Sequence, residues 1–199
     1  MSITDSKQTY DTAIVGAGVF GAWTAWHLAK RGQRVLLLDA YGPAHARASS
    51  GGESRIIRMG YGADELYTRW SRRSLVQWKE LFAATNEALF HETGVLWLAA
   101  SVLREKQTVE TLQRCGIPYR VLQIPDLAQL YPQVNCDGVE FAIFEPASGV
   151  LMARRAVAVV VADALRLGAE YRVAQITSPE NSAAAGQIKT ATGEGIVAR

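Results

Sequence analysis

A cluster of three glycines near the amino terminus constrains the fold of this chain more than any other feature. Gly16, Gly18 and Gly21 follow a short apolar run, Thr12–Val15, and open a helical pattern over Val19–Lys30. Each glycine has a structural role in this pattern. The first allows a tight turn, the second a close approach of the backbone to a pyrophosphate, and the third close packing of the helix on the strand. The spacing predicts a strand, turn and helix whose N-terminus holds the phosphates of a dinucleotide.

An acidic residue follows the second strand-like run of this unit. The run covers residues 34–38, and Asp39 comes directly after it, 18 positions beyond Gly21. There a carboxylate would accept hydrogen bonds from ribose hydroxyls and would repel a 2'-phosphate, which argues against NADP. A turn without a ligand is the simpler alternative, but strand, turn, helix, strand and acid occur in the required order. The pattern predicts a dinucleotide site and leaves NAD and FAD both open.

The alternation of strand and helix seen in this unit changes in the middle of the chain and resumes near residue 154. Residues 63–84 form a helical pattern that predicts packing on a sheet through apolar residues at helical spacings, namely Leu66, Trp70, Leu75, Trp78 and Leu81. Short strand-like runs and helical patterns then alternate, at 95–98, 101–114, 119–122, 125–131 and 139–144. From residue 154 a helix, a strand, a polar loop and a hairpin follow, at 154–167, 170–176, 178–186 and around Gly193.

These elements predict an α/β fold with two domains. The first is a three-layer Rossmann-like domain, which a smaller α+β domain interrupts. The expected boundaries are 1–88 and 151–199 for the first domain and 89–150 for the second. The final strand-like run, 195–199, lacks a further connection, so we expect the polypeptide to be a truncated one.

Composition excludes several classes of function. The chain has 199 residues, of which 49% are hydrophobic, and its net charge of +2 is spread without a basic stripe, so a nucleic acid is not an expected partner. The longest apolar run, 156–162, is far shorter than a membrane span. No apolar segment typical of a signal peptide is present, which favours a cytoplasmic location. The sequence does not indicate an oligomeric state.

The cysteines and histidines do not form a metal-binding pattern. Cys115 and Cys136 are 21 positions apart, and the three histidines, His27, His45 and His91, lie far from them in sequence. Neither a zinc site nor a disulfide framework can be inferred from this spacing. We expect free thiols in a reducing compartment and no metal.

A second segment carries a family resemblance. Residues 48–62 read ASSGGESRIIRMGYG, residues 143–151 read IFEPASGVL, and residues 39–45 read DAYGPAH. Together they resemble the sarcosine oxidase and N-methyltryptophan oxidase group of the D-amino-acid oxidase superfamily. The resemblance extends over essentially all 199 residues in order, but over only about the first half of the family's chain. It favours FAD over NAD as the cofactor.

The resemblance implies roles for individual residues. Arg58 matches the arginine that binds the substrate carboxylate, and a planar guanidinium can grip a carboxylate with two parallel hydrogen bonds. Arg55 matches the arginine against the flavin, where positive charge favours the anionic reduced form. The positions implied to bind FAD are Gly16, Gly18, Val19, Phe20, Gly21, Asp39, Ala40, Ser49, Ser54, Arg55, Ile56 and Val173.

Two observations complicate this assignment. Arginines three positions apart, such as Arg55 and Arg58, are also typical of an ordinary solvated helical face, although the apolar residues between them favour function. In addition, the family's histidines are replaced by Ser50, Gly51 and Met59. These departures argue against sarcosine itself as the substrate and predict a roomier, less polar pocket.

The resemblance implies FAD-dependent oxidation of a C–N bond in an amino acid or N-methyl amino acid. A hydride equivalent would pass from the carbon beside nitrogen to flavin N5, with oxygen expected as the acceptor, although a dehydrogenase is equally compatible with these residues. The family's covalent flavin cysteine, its oxygen-activating lysine and its C-terminal glycine segment have no counterpart in this sequence. Two alternatives stay open: a non-catalytic fragment of such an enzyme, and an NAD-linked dehydrogenase.

Overall fold

The structure is a computed structural model, and it describes residues 9–100, 102–177 and 187–199. The predicted polar loop 178–186 and the predicted start of a helix at Ser101 lie outside these ranges. The described elements in chain order are β1 (Thr12–Val15), α1 (Val19–Lys30), β2 (Val35–Asp39), β3 (Arg55–Ile57), α2 (Glu65–Thr85), β4 (Phe90–His91), β5 (Val95–Ala99), α3 (Val102–Arg114), β6 (Arg120–Leu122), α4 (Ile124–Leu130), β7 (Phe141–Glu145), β8 (Gly149–Leu151), α5 (Ala153–Arg166), β9 (Glu170–Val173), β10 (Gln187–Lys189) and β11 (Gly195–Val197). Within the described ranges, no helix combines the length and the apolar character that crossing a membrane requires.

The chain divides into two compact units. One consists of Met1–Glu53 and Ala153–Arg199, and we call it the parallel-sheet unit. The other consists of Ser54–Met152, and we call it the antiparallel-sheet unit. The chain leaves the antiparallel-sheet unit after Met152, close to the expected boundary at residue 150. It enters that unit at Ser54, well before the expected boundary at residue 88, because β3 and α2 pack with the middle of the chain. The assignment of the two units to cofactor and substrate stays a prediction.

The parallel-sheet unit has the expected three layers. Its sheet has the order β1-β2-β9 with parallel neighbours. Alternation along β2 points Leu36 and Leu38 to one face, where they pack against Ile196 of β11. The helices α1 and α5 contact each other, and α1 also contacts β1 and β2. The α/β architecture and the predicted βαβ start are therefore confirmed.

Small side chains allow α1 to approach its neighbours closely. Its buried residues are Ala22, Ala25 and Ala29. The indole nitrogen of Trp26 donates a hydrogen bond of 2.7 Å to Oδ2 of Asp163 on α5. This contact joins the two helices across 137 positions of sequence.

The predicted hairpin around Gly193 is confirmed. β10 and β11 pair antiparallel, with Ile188 opposite Ile196. Gly193 has a φ of +87°, which glycine adopts without strain. Residues 191–193 thus lie in the connection between the two strands.

The antiparallel-sheet unit contains two three-stranded sheets within the described residues. Their strand orders are β3-β8-β4 and β5-β7-β6. A core between these strands and helices includes Met59, Leu75 of α2, Leu112 of α3 and Ile143 of β7. This packing places the segment after β3 against the interior of the unit.

The helix α2 buries only part of the predicted set of apolar residues. Leu75, Trp78 and Leu81 are buried, as expected, but Leu66 and Trp70 are each 55% exposed. The two exposed residues stand two positions before and after Thr68, which is fully buried. Two positions rotate a helix by about 200°, so Leu66 and Trp70 lie on the face opposite to Thr68. The prediction that they pack on a sheet was wrong.

Candidate functional site

The glycine turn between β1 and α1 has the geometry of a phosphate cradle. Gly16 has a φ of +107°, and a Cβ at Gly21 would lie 1.7 Å from the carbonyl oxygen of Gly16. The fold itself therefore requires glycine at both positions. A Cβ at Gly18, by contrast, would meet only ordinary contacts, the nearest being Oγ of Ser50 at 3.6 Å. Of the three glycines, Gly18 is the one that the packing of the fold does not require, and its role in binding a phosphate stays a prediction.

Asp39 connects the end of β2 to this turn. Its Oδ2 accepts a hydrogen bond of 2.8 Å from the amide of Ala17. Its Oδ1 accepts hydrogen bonds from the amides of Tyr41 and Gly42 at 2.8 and 3.1 Å. Because a carboxylate oxygen can accept two hydrogen bonds, Oδ2 keeps capacity for a ribose hydroxyl. The structure thus gives Asp39 a supporting role that the sequence did not predict, and ribose binding stays a prediction.

Apolar residues surround the carboxyl edge of the parallel sheet. Val173 stands opposite Asp39 in the register of β9 and β2. Val15, Phe20 and Val173 are 58%, 88% and 65% exposed. In open α/β sheets, ligands bind at the carboxyl ends of the strands. Val173 and Phe20 are therefore exposed apolar residues, and their contact with an adenosine stays a prediction.

The loop after β2 supports the same turn. Oγ of Ser50 accepts a hydrogen bond of 3.3 Å from the amide of Val19, the first residue of α1. The guanidinium of Arg154 donates to the carbonyl oxygen of Gly51, at 2.9 Å from Nη2. Sequence reasoning noted Ser50 and Gly51 only as replacements for histidines and missed these contacts. Ser49 is exposed in this loop, and Ala40 lies half-buried just after β2.

The arginine segment begins on a strand and not on a helix. β3 pairs antiparallel with β8, with Arg55 opposite Leu151. Ser54, Arg55 and Ile56 are exposed. The reading of Arg55 and Arg58 as one solvated helical face is therefore wrong, because strand geometry does not stack positions three apart.

Arg58 lies half-buried just after β3. The carbon centre of its guanidinium is 4.2 Å from the ring centroid of Tyr61 and 4.6 Å from that of Trp97. Its Nη1 donates a hydrogen bond to the carbonyl oxygen of Gly60. The side chain lines a cavity of about 60 Å³ together with Gly60, Gly62, Trp97, Arg104, Glu105, Thr108 and Ile143. A planar cation that contacts two rings and lines a cavity is suited to binding a small carboxylate.

Sequence reasoning missed Glu145, which lies beside this cavity's lining residues. It is 1% exposed, and Oε1 accepts a hydrogen bond of 2.8 Å from the indole nitrogen of Trp97. The signal was present in the sequence, since Glu145 ends an apolar strand within the segment 143–151 that carries the resemblance. A charged residue in such a run needs buried hydrogen-bond donors.

The predicted site residues fall into two groups. The parallel-sheet unit holds Gly16, Gly18, Val19, Phe20, Gly21, Asp39, Ala40, Ser49 and Val173. The antiparallel-sheet unit holds Ser54, Arg55, Ile56 and Arg58. In the antiparallel-sheet unit they follow one another along β3 and its two ends, whereas in the parallel-sheet unit they lie on the turn after β1, the first turn of α1, the ends of β2 and β9 and the loop after β2. Their roles toward cofactor and substrate stay predictions.

Comparison with protein families and curated proteins gives consistent matches. The sequence model of the family described as DAO, FAD dependent oxidoreductase, matches residues 11–199. Peroxisomal sarcosine oxidase of Homo sapiens is 33% identical over 161 residues, which are 80% of this chain and 41% of that protein. N-methyl-L-tryptophan oxidase of Yersinia pestis (strain Pestoides F) is 31% identical over 153 residues, which are 76% and 41% of the two chains. This chain thus spans about two fifths of the length of these relatives.

Solved structures show the same fold. L-proline dehydrogenase from P. horikoshii matches with a TM-score of 0.81 and 23% identity, covering 96% of this chain and 51% of that one. NikD, described as an unusual amino acid oxidase, matches with a TM-score of 0.73 and 24% identity over 96% and 50%. At these identities the likeness concerns the fold alone.

Proposed function

Since this chain belongs to the family of FAD-dependent oxidoreductases, we propose that it binds FAD and takes part in oxidising the C–N bond of an amino acid or N-methyl amino acid. The observation that carries the proposal is the placement of Arg58. Its guanidinium is half-buried, contacts two aromatic rings and lines a small cavity. A half-buried guanidinium that lines a cavity can bind an anion there, and a substrate carboxylate is one.

The parallel-sheet unit supports FAD as the cofactor. The N-terminal amides of α1 have no acceptor within the helix, and the helix dipole favours an anion there. The absence of a side chain at Gly18 and the exposed apolar edge near Val173 suit a pyrophosphate and an adenine. When bound, FAD would accept a hydride equivalent from the carbon beside the substrate nitrogen.

The chain's own residues bind and orient the substrate. Arg58 holds the carboxylate with two charge-assisted hydrogen bonds, which fixes the direction of the neighbouring carbon. Arg55 contributes positive charge on the exposed face of β3, which favours negative charge gained by a group bound nearby. The rings of Tyr61 and Trp97 contact the Arg58 guanidinium and reduce its exposure to water, which strengthens its interaction with an anion.

Oxygen is the electron acceptor that we propose, because the curated relatives are named oxidases. An anaerobic experiment separates the oxidation itself from the choice of acceptor. Purified protein loaded with FAD is mixed with a panel of amino acids and N-methyl amino acids while the flavin absorbance is recorded. Bleaching by at least one carboxylate-bearing amine, and its loss in Arg58→Ala, is expected. Tight NADH binding without flavin would contradict the proposal.

A further inference from the structure

One buried carboxylate next to the Arg58 segment receives four hydrogen bonds from uncharged donors. Oε2 of Glu145 accepts from the amide of Met59 and from Oγ of Ser148, each at 2.7 Å. Oε1 accepts from the amide of Gly60 at 2.9 Å and from the indole nitrogen of Trp97 at 2.8 Å. This side chain therefore joins the end of β7 to β5 and to the backbone directly after Arg58.

The backbone around Arg58 is held from a second direction. Oγ of Ser71 donates to the carbonyl oxygen of Arg58, and Oγ1 of Thr68 donates to that of Met59 at 2.8 Å. Both donors lie on α2. The amides after Arg58 are bound by Glu145 and the carbonyls by α2, so the backbone from 58 to 60 has no freedom to shift without breaking a buried hydrogen bond.

Glu145 is also connected to the Arg58 guanidinium indirectly, through an aromatic ring that contacts both side chains. It fixes the indole of Trp97, and that indole lies 4.6 Å from the carbon centre of the guanidinium. Its hydrogen bond to the amide of Gly60 fixes the residue whose carbonyl accepts from Nη1 of Arg58. Two separate routes thus connect one carboxylate to the position of one cation.

We propose that Glu145 is a positioning residue, which holds the Arg58 guanidinium in place to bind a carboxylate. This inference rests on the proposed function of Arg58. Four donors converge on the two side-chain oxygens, so the position requires a carboxylate. A side-chain amide has only one oxygen, and its NH2 group would face two of the four donors. Glu145→Gln would leave two buried donors without an acceptor while keeping the shape of the side chain.

The test uses arginine and tryptophan side-chain resonances and acetate as the probe. In the chain labelled with ¹⁵N, the Arg58 Nε–H signal is identified by its loss in Arg58→Ala, and acetate is titrated. We expect Glu145→Gln to broaden or shift the Arg58 and Trp97 signals and to weaken acetate binding roughly tenfold. Asp163→Asn, the same change at a buried carboxylate of the parallel-sheet unit, is the matched control and should leave both signals unchanged.

A double-mutant cycle separates positioning from a general effect. If Glu145 acts through Arg58, Glu145→Gln changes acetate affinity less than about twofold in the Arg58→Ala background. An equal effect in both backgrounds, or unchanged Arg58 signals in a folded Glu145→Gln chain, would overturn the proposal. If Arg58→Ala itself leaves acetate affinity unchanged, the carboxylate assignment fails, and the Arg58 signal still tests the positioning.

A second variant covers the case in which Glu145→Gln does not fold. Trp97→Phe keeps an aromatic ring over Arg58 but removes the indole donor that Glu145 binds. We expect the Arg58 Nε–H signal to shift because the ring is no longer fixed. An unchanged signal and unchanged acetate affinity would contradict the positioning role.

Discussion

The two units build their candidate sites from different materials. In the parallel-sheet unit, the cradle is formed by backbone: a glycine turn, the start of a helix and the ends of parallel strands. In the antiparallel-sheet unit, the Arg58 segment is held by side chains distant in sequence, as in the hydrogen bond from the amide of Met59 to Glu145, 86 positions away. A site formed by backbone restricts the allowed residue types at only a few positions. A site held by side chains depends on one buried hydrogen-bond network.

The largest effect is expected at the glycine that the fold requires. A Cβ at Gly21 would lie 1.7 Å from the carbonyl oxygen of Gly16, so Gly21→Ala forces α1 away from β1. We expect a loss of roughly 3 kcal/mol or more in the free energy of unfolding, measured by urea denaturation.

Gly18→Ala is the matched control for this change. Its Cβ would meet only contacts of 3.6 and 3.7 Å, so the free energy of unfolding should change little. Flavin affinity should nevertheless fall, because the methyl group would occupy the space of the pyrophosphate. Equal stability losses in the two variants would contradict the distinction between the two glycines.

Removal of the Arg58 guanidinium comes next in size. Arg58→Ala should raise the KM for the amino-acid substrate roughly 100-fold and leave the flavin content of the purified protein unchanged. Arg58→Lys should recover only part of the loss, since an ammonium cannot bind a carboxylate through a planar fork. A fall in flavin content with an unchanged KM would assign Arg58 to the cofactor instead.

A smaller, pH-dependent effect is expected between α1 and α5. Burial tends to raise the pKa of Asp163, but its hydrogen bonds to Arg166 and Trp26 outweigh burial, and the pKa is lowered overall. A lowered carboxyl pKa contributes stability above the ordinary pKa of aspartate, and that contribution is lost as the pH falls through the lowered value. Thermal unfolding should show Asp163→Asn less stable than the wild type at neutral pH, with the difference shrinking in acid. A difference that is constant with pH would contradict this.

The smallest effect is expected on the exposed face of α2. Trp70 is 55% exposed, whereas Trp78 on the same helix is 5% exposed. Trp70→Gln should change the free energy of unfolding by less than about 0.5 kcal/mol, and Trp78→Ala should cost about 3 kcal/mol or more. Similar losses in urea denaturation would indicate that the burial pattern of α2 is incorrect.

The same contrast explains what the sequence could predict. The glycine spacing and Asp39 predicted the βαβ start correctly, because the conformations involved are local and few residues can adopt them. Helical periodicity predicted α2 and the burial of Leu75, Trp78 and Leu81. It wrongly included Leu66 and Trp70, which fit the same pattern but lie opposite the buried Thr68.

Long-range partners were the part that local patterns could not predict. The hydrogen bonds of Ser50 with the amide of Val19 and of Glu145 with the amide of Met59 join distant positions, and nothing in the local sequence specifies them. The family resemblance indicated that Arg58 matters, but not what holds it. A buried carboxylate requires hydrogen-bond donors, but only the structure shows which residues donate to Glu145.

The central claim is that Arg58 selects substrates by their carboxylate. The most direct measurement compares the kcat/KM for an amino acid that reduces the flavin with that for its carboxamide, in the wild type and in Arg58→Ala. We expect the wild type to prefer the acid roughly 100-fold and Arg58→Ala to lose nearly all of this preference. An acid preference of the same size in both proteins would contradict it.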